Sequence, residues 1–297
     1  MLHAVEDISF RINACQTLGV VGESGCGKST LGRTVLRLHE ATAGEVWFQG
    51  ENILKYGKRK MKDVHKNMQM IFQDPYSSLD PRMSVYNLIA EPVHEIYGKA
   101  CGKKETEEKI HQIMELCGLP LRYANCYPHE LDGGRRQRVG LARAMVVEPR
   151  FIVCDEPVSA LDVSIQAQIL NLLMDLQEQR GLSYLFITHD LCVVRHISND
   201  IMVMYMGQVV EYASKDELFR HPLHPYTKAL LSAIPTTDLS RRSRTRHTLQ
   251  GEVSSPVNPS PGCRFAPRCP YAKETCKENC QLREAAPKHF VACHQFA

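Results

Sequence analysis

Residues Gly22-Glu23-Ser24-Gly25-Cys26-Gly27-Lys28-Ser29-Thr30 fit the pattern G-x-x-x-x-G-K-[ST], which binds phosphate. Its three glycines let the backbone wrap closely around a phosphate group. Lys28 is long enough to reach the β- and γ-phosphates of a nucleotide, and the Ser29 hydroxyl is placed to bind Mg²⁺. A second chemical stretch is Phe151-Ile152-Val153-Cys154-Asp155-Glu156-Pro157, a buried-strand pattern that ends in two carboxylates. Asp155 is placed to hold Mg²⁺ through water. Glu156, directed to the other side of the strand, can polarise an attacking water as general base. Taken singly, the first stretch could be a chance glycine-rich turn and the second a solvated strand end. Occurring in one α/β pattern, they point to chemistry on a nucleoside triphosphate.

The flanking elements suit these roles. Thr17-Leu18-Gly19-Val20-Val21 reads as a short buried strand, and Leu31 to Leu38 as the first turns of a helix. A strand feeding a glycine-rich turn at a helix N-terminus turns backbone N–H groups outward, and the helix dipole adds positive potential there. Further strands are expected at Ile8–Ile12, between Gly44 and Gly50, at Met68–Phe72 and Tyr184–Ile187, and on both sides of Gly207. Amphipathic helices are expected at Val85–Tyr97, Glu105–Cys117, Pro128–Met145 and Val163–Gln179. The pattern is a parallel α/β core interrupted by a helical insert at about 74–145. From Pro235 prolines, serines and the basic run Arg241-Arg242-Ser243-Arg244-Thr245-Arg246 break the periodicity, so residues 1–234 read as one domain and 235–297 as a separate tail.

Composition narrows the class. A chain of 297 residues that is 43% hydrophobic can bury one large core, or one domain plus an appendage. The net charge of +3, set against 36 basic and 33 acidic residues, does not argue for nucleic acid. No apolar run approaches the roughly 20 residues that span a bilayer. The start, Met1 to Asp7, has neither the basic nor the long apolar region of a signal peptide. A cytosolic location follows as the expectation, in which the 12 cysteines are reduced and a cluster of them binds metal more readily than it forms disulfides.

Leu131-Asp132-Gly133-Gly134-Arg135-Arg136-Gln137-Arg138 resembles the signature motif of ABC-transporter ATPases, usually Leu-Ser-Gly-Gly-Gln-x-Gln-Arg. Gln73, Ser159-Ala160-Leu161-Asp162 and Ile187-Thr188-His189-Asp190 are similar, in order, to that family's Q-, D- and H-loops. The resemblance spans residues 1 to about 235. It implies a P-loop NTPase core of the ABC type with an inserted helical subdomain. It also implies ATP hydrolysis with Mg²⁺ held by Ser29 and Gln73, Glu156 as base and His189 as γ-phosphate sensor. Two such domains pair head to tail, so Asp132, Gly133, Gly134 and Arg135 would face the ATP bound by the partner. The glycines suit close approach of a helix N-terminus to a phosphate.

The tail resembles that of the ATPase subunits of oligopeptide, dipeptide and nickel importers, in His221-Pro222-Leu223-His224-Pro225-Tyr226-Thr227-Lys228 and in Gly251-Glu252-Val253 leading to Pro261-Gly262-Cys263. This implies a peripheral subunit on the cytoplasmic face of the membrane. Its partners would be a second, non-identical ATPase subunit, two permeases and an extracytoplasmic solute-binding protein. The transported substrate stays open among peptides, nickel and metal chelates. A soluble ATPase acting on nucleic acid or ribosomes is the rival reading, but such proteins usually carry two fused cassettes or a long coiled coil.

Cys263, Cys269, Cys276, Cys280 and Cys293 lie close together in this tail. Four thiolates could hold zinc or an iron–sulfur cluster, or remain reduced and unligated. The resemblance implies a [4Fe–4S] cluster on Cys263, Cys269, Cys276 and Cys293, with Cys280 outside the spacing. Cys15, Cys26, Cys101, Cys117, Cys126, Cys154 and Cys192 read as small packing residues. Two departures from the family stand out. The family stacks adenine on an aromatic residue upstream of the phosphate loop, yet before Phe10 only His3 has a ring; either the contact is weak, His3 substitutes, or the chain starts later than its relatives. Asp132 replaces the usual Ser, setting a carboxylate where a γ-phosphate would lie. At roughly 4 Å and an effective dielectric of about 20, a pair of like charges costs about 4 kcal/mol. Asp132 is equally suited to cap the signature helix, and Arg135 to offset its charge.

Overall fold

The computed structural model describes residues 1–74, 76–98, 101–235, 251 and 255–296; Pro75, the basic run Arg241–Arg246 and Glu252-Val253 lie outside them. In chain order the first elements are β1 (Thr17–Val21), α1 (Lys28–Val35), β2 (Trp47–Phe48), β3 (Glu51–Asn52), α2 (Lys58–Asn67), β4 (Met68–Ile71), α3 (Val85–Tyr97), α4 (Lys103–Leu116), α5 (Gly133–Met145) and β5 (Phe151–Asp155). They are followed by α6 (Val163–Arg180), β6 (Ser183–Ile187), α7 (Leu191–Ile197), β7 (Asp200–Tyr205), β8 (Gln208–Ser214), α8 (Lys215–Arg220), α9 (Pro225–Ser232), β9 (Arg283–Ala286) and β10 (His289–Val291). Two compact units divide the chain: Met1–Arg11, Thr17–Leu31 and Phe186–Ala297 form one, Ile12–Gln16 and Gly32–Leu185 the other.

In the first unit β1, buried at every residue, pairs in parallel with β7. β7 turns back into β8 through Met206 and Gly207, both at positive φ (45° and 81°), the conformation a two-residue hairpin requires. β10 and β9 then extend β8 antiparallel. These last two strands are too short and polar to show in the sequence, and they were not anticipated. The core of this unit gathers Val21, Val203, Tyr205 and Tyr226 around Phe265, which is 1% exposed. The cysteine-bearing segment is thereby packed against the cluster formed by β1, β7 and β8.

In the second unit β4 and β5 pair in parallel, Met68–Ile71 against Phe151–Cys154. α3 packs on α4 and α5, with Val85, Leu88, Ile89 and Val93 turned inward. Ser84 starts α3 by accepting the N–H of Asn87, one of the donors that a helix N-terminus leaves without an internal partner.

The structure departs from three expectations. Ile8–Ile12 keeps alternating burial but forms no strand, since no neighbouring strand pairs with it among the described residues. The strand expected between Gly44 and Gly50 shrinks to β2, because Gln49 and Gly50 (φ 51° and 83°) turn the chain into β3. The helix expected from Pro128 begins at Gly133; Pro128–Glu130 is a single 3₁₀ turn that Leu131 ends in extended conformation. α2 was missed, as only Met61 and Val64 of its ten residues are buried. Of the scattered cysteines, Cys26, Cys117 and Cys154 are buried as expected, whereas Cys15 and Cys192 are exposed and fill no core.

Candidate nucleotide site

The phosphate loop runs from the end of β1 into α1. Gly25 and Gly27 have φ of 79° and 102°, which only glycine adopts without strain. A Cβ on Gly27 would lie 2.1 Å from the carbonyl oxygen of Ala4, so the N-terminal segment approaches the loop as closely as backbone allows. Lys28 is 5% exposed and donates to the carbonyls of Gly22 and Glu23 at 2.8 and 2.9 Å. These bonds hold the ammonium inside the curve of the loop. The first turn of α1 has no acidic residue, so nothing there offsets the positive end of the helix dipole. Ser24 and Gly25 are exposed, Ser29 and Thr30 half-buried at the helix start. Burial raises the Cys26 thiol, although the neighbouring Lys28 opposes that shift.

His189 belongs to the same unit. The N–H of Thr188 donates to the carbonyl of Val20 at 3.1 Å, tying the residue before His189 to the end of β1. Asp190 caps α7 by accepting the N–H of Cys192 at 2.7 Å. His189 itself is exposed.

The second unit carries the carboxylates. Asp155, fully buried at the end of β5, has the Arg33 guanidinium 3.8 Å away. Glu156 follows with φ of 46°, a left-handed backbone that a non-glycine residue holds only under constraint. Its carbonyl accepts the Ser159 hydroxyl at 3.1 Å, and its Oε2 accepts the side-chain N–H of Gln73 at 3.0 Å. Two residues chosen from separate motifs, Gln73 and Glu156, thus meet. In the signature stretch, Asp132 caps α5 through the N–H of Arg135 and is ion-paired with the Arg135 guanidinium. That guanidinium also lies 4.9 Å from the centre of the Tyr123 ring. Gly134 has a local reason to be glycine: an added Cβ would fall 2.8 Å from Ile165 Cγ2 on α6.

Sequence reading missed three side chains that shape these sites. Arg33 faces Asp155. Tyr226 accepts the N–H of Glu23 at 2.8 Å through its hydroxyl, and Arg268 grips the Glu23 carboxylate at 2.7 and 3.0 Å. Arg33 and Tyr226 stand in stretches already singled out, the helix Leu31 to Leu38 and the run from His221, but nothing in their spacing points to these contacts.

In the tail, Cys263, Cys269, Cys276 and Cys293 line one cavity of about 30 Å³ together with Phe265, His224 and Tyr271. Burial raises the thiols of Cys263, Cys269 and Cys293, and the nearby Cys276 raises each further. Cys280, which is not among the residues lining this cavity, is pushed up to about 11 by burial and by Cys293, Cys263 and Cys276. Among the described residues no three His, Cys, Asp or Glu side chains converge as a ligand set for a metal ion. The expected [4Fe–4S] cluster is therefore not supported by a formed ligand set. The cavity has room for about two waters, so thiols would have to move outward to enclose a metal–sulfur core.

Residues 5–159 match the family model for ABC transporters, and residues 210–276 match that for the oligopeptide/dipeptide transporter C-terminal region. The chain is 50% identical to the oligopeptide transport ATP-binding protein AppF of Bacillus subtilis, covering 99% of this chain and 90% of that protein. It is 49% identical to OppF of Haemophilus influenzae, an oligopeptide transport ATP-binding protein, over 98% and 88% of the two chains. The dimeric ATP-binding cassette MJ0796, solved with ADP and Pi, aligns with TM-score 0.65 and 27% identity over 71% of this chain and 90% of its own. The cassette cbiO1 of Clostridium perfringens aligns with TM-score 0.65 and 25% identity over 73% and 84%. By these matches the chain belongs to the ABC-transporter ATPase family.

Proposed function

We propose that this chain is the ATP-hydrolysing subunit of an importer of oligopeptides, acting at the cytoplasmic face of the membrane. It would be one of two ATPase subunits serving two permeases and an extracytoplasmic solute-binding protein. The observation that carries the catalytic part is the 3.0 Å bond between Gln73 and Glu156, which holds the proposed base in place on a constrained backbone. The names of the relatives favour peptide cargo over nickel or metal chelates, and transport over action on nucleic acid or ribosomes. No helix among the described residues is long and apolar enough to cross a membrane, which is consistent with a peripheral subunit.

The residues divide the work as follows. Backbone N–H groups of Gly25 to Thr30 and the α1 dipole bind phosphate oxygens, and Lys28 turns its ammonium from the loop carbonyls to the β- and γ-phosphates. Ser29, Gln73 and, through water, Asp155 offer the hard oxygen donors that suit Mg²⁺, which when bound neutralises charge on the β- and γ-phosphates. Glu156 takes the proton of the attacking water, and His189 contacts the γ-phosphate. Asp132, Gly133, Gly134 and Arg135 close over the partner's nucleotide. Gln73, exposed and bonded to the base, links the state of the site to the groove where a permease docks.

The four thiols that line one cavity support a second proposal, a thiolate-bound iron–sulfur centre in a structural role. Purification in mild detergent tests the transport reading. Permease subunits should come along with this chain; co-purifying nucleic acid or ribosomes would favour the rival.

A further inference from the structure

Glu23, the second residue of the phosphate loop, is held at three points. Its N–H donates to the Tyr226 hydroxyl at 2.8 Å, its carbonyl accepts from Lys28 at 2.9 Å, and its carboxylate accepts both terminal nitrogens of Arg268 at 2.7 and 3.0 Å. Tyr226 comes from α9 and Arg268 from the cysteine-bearing segment, which packs on Tyr226 through Phe265. Arg268 has a side chain only 7% exposed and lies with its guanidinium 5.9 Å from the centre of the Tyr205 ring. Tyr205, Tyr226 and Phe265 pack edge-on or tilted, with centroids 4.8 to 5.4 Å apart. Arg268 stands directly before Cys269, and the same segment sends Arg264 to Glu6 and to the Met206 carbonyl.

We propose that Arg268 and Tyr226 are positioning residues of the nucleotide site, through which the cysteine-bearing segment sets the affinity of the phosphate loop for ATP. Both act through Glu23, to which they are bonded. A bidentate guanidinium–carboxylate pair fixes both distance and orientation, and it fixes them here at the residue whose carbonyl receives the catalytic lysine. If the segment moves, Glu23 is released and the loop must be ordered by the nucleotide instead. Because the linkage is thermodynamic, ATP binding must in turn steady the segment around Cys263 and Cys269.

The inference rests on the reading of Gly22–Thr30 as an ATP site, and the test separates the two. ATP affinity and turnover are measured in the intact transporter with Arg268→Gln, Arg268→Lys, Tyr226→Phe and Glu23→Gln. Arg268→Gln should raise the KM for ATP about tenfold, the size expected for a lost charge-assisted hydrogen bond, with a smaller effect on kcat. Arg268→Lys, which keeps the charge but not the fork, should fall between. Glu23→Gln added to Arg268→Gln should cost little more, since both break one interaction. Tyr226→Phe preserves the packing and should shift KM in the same direction without lowering the melting temperature. Hydrogen exchange at residues 263–272 should slow on binding a non-hydrolysable ATP analogue in the wild type and not in Arg268→Gln. A wild type that binds ATP, beside folded Arg268→Gln and Tyr226→Phe variants of unchanged KM, would overturn the clamp. A wild type that binds no ATP would defeat the nucleotide site itself.

Discussion

Asp132 and Arg135 neutralise each other across the first turn of α5: one carboxylate oxygen accepts the Arg135 N–H at 2.7 Å, and the other is ion-paired with the Arg135 guanidinium. Both oxygens are therefore engaged in capping and pairing within the chain. The repulsion that a bare carboxylate would exert on a partner's γ-phosphate is reduced accordingly. Asp132→Ser, which keeps a cap, should leave ATP turnover of the assembled transporter unchanged. Asp132→Ala should cost about 1 kcal/mol of stability by loss of the cap. Arg135→Ala should slow turnover at the partner's site, because it exposes the charge. A clear gain in activity on Asp132→Ser would show that repulsion persists.

A second prediction concerns the buried polar pin that joins β8 to β10. Glu211, fully buried, accepts the N–H groups of Leu223 and His224 at 2.7 and 2.9 Å and lies 2.7 Å from Nε2 of His289. Glu217, itself lowered by His221, stands 3.6 Å from the other ring nitrogen. Burial works against charging His289, but the bonds and charges of Glu211 and Glu217 outweigh it and raise the imidazole above 6.5. Neighbouring His224 goes the other way, to about 4, by burial, and stays neutral. Protonated His289 is thus favoured by folding. Its contribution is fully present below the unfolded value and disappears as pH rises through the folded one. Melting temperature followed between about pH 6 and 9 should fall with rising pH in the wild type and fall less in His289→Gln. Identical profiles for the two proteins would contradict this.

The cysteine cavity gives a third. Protein purified without oxygen should be brown and contain about four irons per chain, as a thiolate-held cluster requires. Replacing any of Cys263, Cys269, Cys276 or Cys293 should remove the colour, and replacing Cys280 should not. Colourless protein with one zinc per chain would assign a structural zinc site, and metal-free protein would assign reduced thiols.

What could be read in advance was what local chemistry dictates. The phosphate loop, β5 with its Asp155-Glu156 end and the apolar face of α3 are each written in consecutive residues. Even the capping role of Asp132 follows from its place before Gly133-Gly134. The grip of Arg268 on Glu23 was not legible, because it joins residues 245 positions apart and depends on where Phe265 finds a core. The Ile8–Ile12 pattern misled for a related reason. Alternation fixes which side chains turn inward, but a strand also needs a neighbour to bond with.

The central claim is that Glu156, positioned by Gln73, performs hydrolysis at this chain's own phosphate loop. Its most direct measurement is ATP binding and turnover by the assembled transporter carrying Glu156→Gln, with the partner subunit's own base already removed. ATP should still bind, while turnover falls about 10²–10⁴-fold and peptide uptake stops with it. Near-wild-type turnover at that site would contradict the claim.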